Sequence, residues 1–358
     1  MYFIGVDHHK QYSQMTVLDD SGGEVKSGRV VNLRREVEEF LRDLASESRA
    51  VIEAGRASYT MVDLLGELGV EVKMAHPAEV KAIAKARIKT DKRDSGILAH
   101  LLRTDLIPEV YQRGALNREG QRILRLRAFY VRHQTQVKNK IWALLAQQRE
   151  EIRLEVEEER HLFTKRGLEF LAGLELGGKD TEILDSLVRA YHNLEELIQE
   201  SNGLVKALYE EMEEAKRIDT VPGFGAYLSV LVAVELADVG RFERVEELHS
   251  YAGLIPSTRS SGEKTYHGRI TKQGNGWLRW ALVEAVYPAI VADHDLKVFY
   301  QRLARRKGAN VAKVATARRL LTIIYKILKE KRGYIPYRRD LNRLPKTHTN
   351  GPVGPRSR

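Results

Sequence analysis

The 358-residue chain has no cysteine, which excludes disulfides and thiolate metal sites and suits a reducing cytoplasm. Long hydrophobic runs are missing as well: no stretch approaches the roughly 18 uninterrupted apolar residues that a membrane span needs. The opening "MYFIGVDHHK" has no basic segment followed by an apolar one, so no secretory signal is read there. Internal repeats and low-complexity tracts are also lacking, apart from the Pro-, Gly- and Arg-bearing end "NRLPKTHTNGPVGPRSR" (342–358), which reads as a disordered basic tail. Acidic residues are in deficit, 49 against 59 Lys and Arg, and the resulting charge of +10 points to a polyanionic partner rather than a small acidic molecule. What is there is a hydrophobic content of 43%, ordinary for globular proteins, in a chain long enough for two or three domains.

The first hundred residues alternate short apolar runs with amphipathic stretches. "YFIGVD" (2–7), "QMTVLDD" (14–20) and "EVKSGRVV" (24–31) read as three antiparallel strands, with "SGG" (21–23) as a turn. "LRREVEEFLRDLA" (33–45) has helical spacing, "AVIEA" (50–54) is a strand, "YTMVDLLGELG" (59–69) a helix and "VEVKMAH" (70–76) a strand. A helix follows through "KTDKRDSGILAHLLR" (89–103). This order predicts an α/β domain over 1–112 whose later strands pair in parallel across helical connections. Beyond about 113 the strand signals stop. Two long amphipathic helices, 117–149 and 182–217, predict an αα-hairpin or coiled-coil segment over 113–217. A mainly helical C-terminal domain is expected over 218–332, and a basic tail over 333–358.

Four carboxylates stand out in the first domain. Asp7 ends the first strand, Glu53 lies on the fourth, and Asp91 and Asp94 share one face at the start of a helix. Strand order makes the first and fourth strands neighbours with that helix across them, so all four can converge. Each has a plainer reading, as turn former, helix cap or exposed charge; Glu53 is the hardest to explain that way, because a charge between "AVI" and Ala in a core strand is costly unless used. Clustered carboxylates call for a cation, and Mg²⁺, with its preference for oxygen, is the natural occupant; two such ions would stabilise both oxygens of a phosphodiester cleavage.

"GVDHHK", "VIEA" and "KTDKRDSGILAHLL" resemble the DEDD motif of the insertion sequence 110 family of transposases. "VPGFGAYLSVLVAVEL" is similar to that family's helix-hairpin-helix-like segment, and "YAGLIPSTRSSGEKTYHGRITKQGNGWLRWALVEA" to its C-terminal signature. The resemblance spans roughly 2–103 and 218–290. It implies a RuvC-like, RNase H-type domain whose Asp7, Glu53, Asp91 and Asp94 bind Mg²⁺, and a serine nucleophile in the C-terminal domain. It further implies a prokaryotic, nucleoid-associated DNA recombinase guided by a structured bridge RNA, with composite active sites in a dimer or tetramer.

Within "STRSSGEKTYHGRITKQG" (257–274), read as a polar loop, chemistry does not choose between Ser260 and Ser261. The family pattern favours the serine before glycine, which is Ser261, with Gly262 allowing a phosphate close to the backbone. His267 can serve as a base or be merely solvated. Arg269, Lys272 and Arg279 suit phosphate contacts, as do Lys92 and Arg93 and, on the basic helix, Arg122, Arg125, Arg132 and Lys138. Gly223 and Gly225 read either as a phosphate-facing hairpin or as a turn into a buried helix. Trp277, Trp280 and Tyr287 read as core residues at helical spacing or as base-stacking ones. The rival to a serine recombinase is a RuvC-like metal-dependent endonuclease of the junction-resolvase type that uses water.

Overall fold

A computed structural model of the chain describes residues 1–55, 57–84, 90–159, 161–261, 264–270 and 274–336. They fall into two compact units, Met1–Arg113 and Gly114 onward. The first unit opens with strands β1 (Tyr2–His8), β2 (Tyr12–Leu18) and β3 (Glu24–Val31). It continues with α1 (Arg34–Leu41), β4 (Ser48–Glu53), α2 (Ser58–Glu67), β5 (Glu71–Ala75), α3 (Pro77–Ala84) and α4 (Asp91–Arg103). The sheet order is β3-β2-β1-β4-β5. The first three strands pair antiparallel through short turns, whereas β4 and β5 run parallel to β1 because helices carry the chain back across the sheet. This is the predicted α/β order, and it is the strand arrangement of a RuvC-like domain.

Strand alternation divides the side chains between two faces. Ile4, Val6, Met15, Val17, Ala50 and Ile52 pack with Val37 and Leu41 of α1 and Met61 and Leu65 of α2. The other face sets Phe3 and Val51 against Val80 of α3 and Leu98, Leu101 and Leu102 of α4. Gly5 belongs to this second face, and there the helix touches the strand backbone to backbone. A Cβ on Gly5 would lie 1.8 Å from the Ser95 carbonyl oxygen and 2.5 Å from the Ala99 nitrogen. Buried Ser95 secures the crossing: its Oγ donates to the Lys92 carbonyl at 3.0 Å and lies 2.8 Å from Thr16 Oγ1 of β2.

The second unit is mostly helical. Its long helices α5 (Ala115–Leu145) and α8 (Gly178–Glu211) pack along one another, with α6 (Glu150–Glu158) and α7 (Lys165–Gly173) in the connection. At one end Ile141 and Leu145 share a core with Val156, Leu168, Leu171 and Leu184. At the other, Leu124, Val205 and Leu208 enter the largest core of the chain. That core is built with α9 (Glu213–Asp219), α10 (Ala226–Leu236), α11 (Val245–Tyr251), α12 (Gly276–Glu284), α13 (Val286–Ala292), α14 (His294–Lys307) and α15 (Ala309–Lys329). Helix α10 is apolar over most of its circumference because Ser229 through Leu236 are buried, Glu235 being the one charged residue among them.

The stretch read as a polar loop contains a β-hairpin, β6 (Pro256–Ser261) with β7 (Lys264–Ile270), in which Ser261 pairs with Lys264 and Thr258 with His267. Its sequence is dominated by hydroxyl-bearing and charged residues, so it lacks the apolar alternation by which a strand is recognised. What holds it is backbone pairing, and Thr258, Thr265 and Tyr266 are residue types that suit extended chain. Among the described residues no helix is long and apolar enough to cross a membrane.

Replacing Gly5 by Ala has no room to be absorbed, since both neighbours are helix backbone. We expect Gly5→Ala to lower stability by about 2–3 kcal/mol or more in urea unfolding, the cost of overpacking a rigid core. Gly66→Ala, with no atom within 4 Å of its added Cβ, should leave the unfolding midpoint close to wild type.

Candidate active site

Val6 of β1 pairs with Ile52 of β4, so Asp7 and Glu53 come next, at the carboxyl ends of adjacent strands. Alternation puts both on the face that α4 covers, in line with Gly5 and Val51. Helix α4 runs back along β1, and its first turn, bearing Asp91 and Asp94, reaches the end where Asp7 stands. Thr90 caps the helix, accepting a hydrogen bond from the Arg93 amide at 3.3 Å. Two acids in the first turn are favoured there by the helix dipole.

The side chains that meet are Asp7, Asp91 and a residue to which sequence reasoning gives no role, His9. One carboxylate oxygen from each aspartate and a ring nitrogen of His9 lie within 4.8 Å of one another. His9 Nε2 is 3.3 Å from Asp7 Oδ2 and 3.4 Å from Asp91 Oδ2, and the Tyr12 hydroxyl donates to Asp91 Oδ2 at 3.1 Å. Glu53 and Asp94 stand outside this three-residue group. Glu53 is solvent-exposed rather than buried in a core strand, because β4 ends at that residue and the chain emerges there. The only sequence signal for His9 is its place two residues after a strand-end aspartate, inside "GVDHHK".

Burial pushes the Asp7 carboxyl above its ordinary pKa; His9 opposes this, while the charges of Asp91 and Asp94 add to it. The donor set suits a divalent cation: two carboxylate oxygens converge with His9 Nε2, a buried nitrogen within ion-pair distance of both.

Residues 4–149 match the DEDD-type transposase domain of the IS110 group, and residues 215–301 match the Transposase IS116/IS110/IS902 family. The chain is 26% identical over 340 residues to the "Transposase for insertion sequence element IS1111A" of Coxiella burnetii, covering 92% of this chain and 90% of that protein. It is also 26% identical to the "Probable family 20 transposase" of Pseudomonas aeruginosa, covering 93% and 98%. A Yersinia enterocolitica relative, the "Transposase for insertion sequence element IS1328", is 24% identical over 72% of each chain. The chain belongs to the IS116/IS110/IS902 family of transposases. All four carboxylates lie in the DEDD-type match, and the β6–β7 hairpin lies in the other.

The hairpin belongs to the second compact unit, the carboxylates to the first. Ser260 and Ser261 are the last two residues of β6, and Arg269 lies in β7. Gly262 and Lys272 lie outside the described residues. On the way out of the hairpin the chain is anchored firmly. The Asn275 amide donates to the Tyr251 carbonyl at 2.7 Å, and Asn275 Oδ1 caps α12 by accepting from the Trp277 and Leu278 amides. Asn275 Nδ2 donates at 2.7 Å to Glu235 of α10, whose side chain is 1% exposed. Arg125 of α5 ion-pairs with the same carboxylate and stacks over Trp277, 4.2 Å from the ring centroid.

Arg125, read from sequence as a phosphate contact, is therefore committed to a buried acid. Of the other basic residues on α5, Arg122 and Arg132 are exposed, whereas Lys138 lies over the Phe163 and Tyr191 rings. Lys92 pairs with Glu24 at 3.0 Å, Arg93 is exposed on the same helical turn, and Arg279 donates to the Ala252 carbonyl at 3.0 Å. Gly223 has a packing explanation. At φ 93° it is in a conformation that favours glycine, and a Cβ there would lie 2.5 Å from the Ala285 oxygen. Gly225 directly precedes the buried helix α10. Trp277 packs on the core, whereas Trp280 and Tyr287 are exposed.

Arg125→Ala leaves Glu235 buried without its cation and should cost about 3–5 kcal/mol in chemical unfolding, whereas Arg132→Ala should cost less than about 0.5 kcal/mol. For Asp7, a pKa raised by folding means that its ionisation opposes folding: the contribution is favourable below the unfolded value of 3.8 and is lost as pH rises through the folded value. Asp7→Asn should thus raise the thermal midpoint of the metal-free protein at pH 7, and the gain should vanish near pH ~3.5, where both forms are largely neutral.

Proposed function

We propose that the protein cleaves and rejoins DNA strands, with Ser261 as nucleophile and the Asp7–Asp91 end of the sheet as the divalent-cation site that activates it. The observation that carries the reading is the convergence of Asp7 and Asp91, from elements far apart in sequence, on one point with a ring nitrogen beside them. Glu53 on the adjacent strand and Asp94 on the same turn of α4 complete the acidic surroundings, as oxygen donors to water on that ion or to a second ion. A Mg²⁺ held by Asp7 and Asp91 would neutralise charge on the scissile phosphate and favour the ionised hydroxyl.

In the cleavage step Ser261 Oγ loses its proton and bonds to phosphorus, and the displaced deoxyribose oxygen leaves with a proton. Rejoining is the reverse attack by a deoxyribose hydroxyl on the serine ester. On this reading the serine reacts only where bound DNA is engaged by both the serine segment and the carboxylates, of one protomer or of two protomers in a dimer or tetramer. Exposed Arg122, Arg132 and Arg93 position nucleic-acid backbones without reading sequence. Site choice is left to a structured bridge RNA that pairs with the DNA, which is in keeping with the excess of positive charge.

The self-contained placement of the carboxylates in the first unit also suits direct attack by water, the junction-resolvase reading. A nicked suicide substrate separates the two. The serine mechanism predicts a covalent protein–DNA adduct in the presence of Mg²⁺, lost in Ser261→Ala and in Asp91→Asn. Cleavage by Ser261→Ala at the wild-type rate, with no adduct from either protein, would establish water as the nucleophile.

A further inference from the structure

His9 lies within ion-pair distance of both Asp7 and Asp91. Its Nε2 is buried and lies 3.3 Å from Asp7 Oδ2 and 3.4 Å from Asp91 Oδ2. Those separations have another meaning. Ligands about 2.1 Å from one ion stand about 3.0 Å apart at the corners of an octahedron and about 3.4 Å apart at those of a tetrahedron. The two nitrogen–oxygen separations fall in that range, and one oxygen from each aspartate lies with the nitrogen inside a 4.8 Å cluster, close enough for all three to face one ion.

The ring is held there by its surroundings. His9 begins the turn between β1 and β2, where its amide donates to the Tyr12 carbonyl at 2.9 Å. Asn32 Nδ2 donates to the His9 carbonyl at 2.8 Å, and Asn32 Oδ1 in turn accepts from Ser13 Oγ at 2.7 Å. The His9 ring lies against the Tyr12 ring, with centroids 4.8 Å apart, and Tyr12 is itself bonded to Asp91. Tyr12, Ser13 and Asn32 thus fix both the backbone and the ring of His9. Neighbouring His8 is engaged elsewhere, its Nδ1 2.8 Å from Ser13 Oγ.

We infer that His9 Nε2 is a third ligand to the ion held by Asp7 and Asp91, and that this nitrogen shifts the site's preference from Mg²⁺ towards first-row transition cations such as Mn²⁺. The reason lies in the donors. Mg²⁺ is hard and takes oxygen, keeping several waters, whereas divalent ions of the transition series accept imidazole nitrogen readily. The inference rests on the Asp7–Asp91 cation site proposed above and goes beyond it in naming the ligand set and the class of ion.

The experiment is electron spin-echo spectroscopy of Mn²⁺ bound to the full-length protein, with titrations of Mn²⁺ and Mg²⁺ by calorimetry. The expected result is nitrogen-14 modulation of the Mn²⁺ signal that is lost in His9→Gln and retained in His8→Gln. His9→Gln should also weaken Mn²⁺ on the order of tenfold or more while changing Mg²⁺ less. Mn²⁺ bound in an Asp91-dependent manner with no nitrogen modulation, or bound equally by wild type and His9→Gln, would overturn the role of His9 and leave the cation site standing. Absence of any Mn²⁺ or Mg²⁺ binding that Asp91→Asn removes would overturn the cation site itself, and this inference with it. The wild-type spectrum alone decides whether a nitrogen is bound to the ion, so misfolding of a variant does not blur the result.

Discussion

The contact on which the first unit depends is the one between Gly5 and the backbone of α4 at Ser95 and Ala99. A helix normally rests on a sheet through a layer of side chains. Here the layer is absent at one point, and the helix comes down onto β1. Ser95, too short to hold the two apart, bonds within its helix and to Thr16. The consequence is felt one turn away. With α4 seated this low, its first turn lies level with the end of β1, and a side chain as short as aspartate reaches from Asp91 to the neighbourhood of Asp7.

The second unit solves a related problem with charge instead of closeness. The buried Glu235 draws Arg125 from α5, Asn275 from the start of α12 and Gln121 from one turn earlier on α5. A carboxylate enclosed in this way is tolerated only when its lone pairs are filled, so the three helices are fixed in mutual register. Asn275 is also the residue at which the chain returns from the β6–β7 hairpin. The rigid point next to the hairpin is thus a polar one inside an apolar core, and the hairpin sequence itself offers few apolar residues that could join that core.

The sheet is legible in the sequence because its signal is local and periodic: β1, β2 and β4 alternate or run apolar, and Asp19-Asp20-Ser21-Gly22-Gly23 marks the turn from β2 to β3. Asp7, Asp91 and Asp94 are legible for a different reason, since strand order and helix phase alone bring them to one end. Glu53 falls on the expected strand but in different surroundings, because the last residue of a strand reads as core when its exposure depends on where the sheet stops. The hairpin is hidden because backbone pairing without an apolar face leaves no period. Arg125 is hidden among surface bases for a related reason. A basic amphipathic helix shows which side is polar, and nothing in it shows that one arginine faces a buried acid from a helix 110 residues further on. His9 carries no signal of its own, since imidazole in a turn is common and only its orientation gives it meaning.

The arrangement at the end of β1 works against its own ionisation, and that opposition indicates how the site is meant to be used. Partial burial resists ionisation of Asp7 most, His9 opposes that, and the charges of Asp91 and Asp94 add to the resistance, so the domain holds its carboxylates together against their repulsion. Packing outside the cluster supplies the means: the helix is pinned by Gly5 and Ser95, and the turn by Asn32 and Ser13. Neither pair includes a carboxylate. The scaffold therefore positions the elements that carry the donors through contacts that do not involve the carboxylates. Ordering them at the moment of binding would subtract from affinity; ordering them beforehand moves that penalty into folding, where a core of Ile, Val and Leu on both sides of the sheet offsets it.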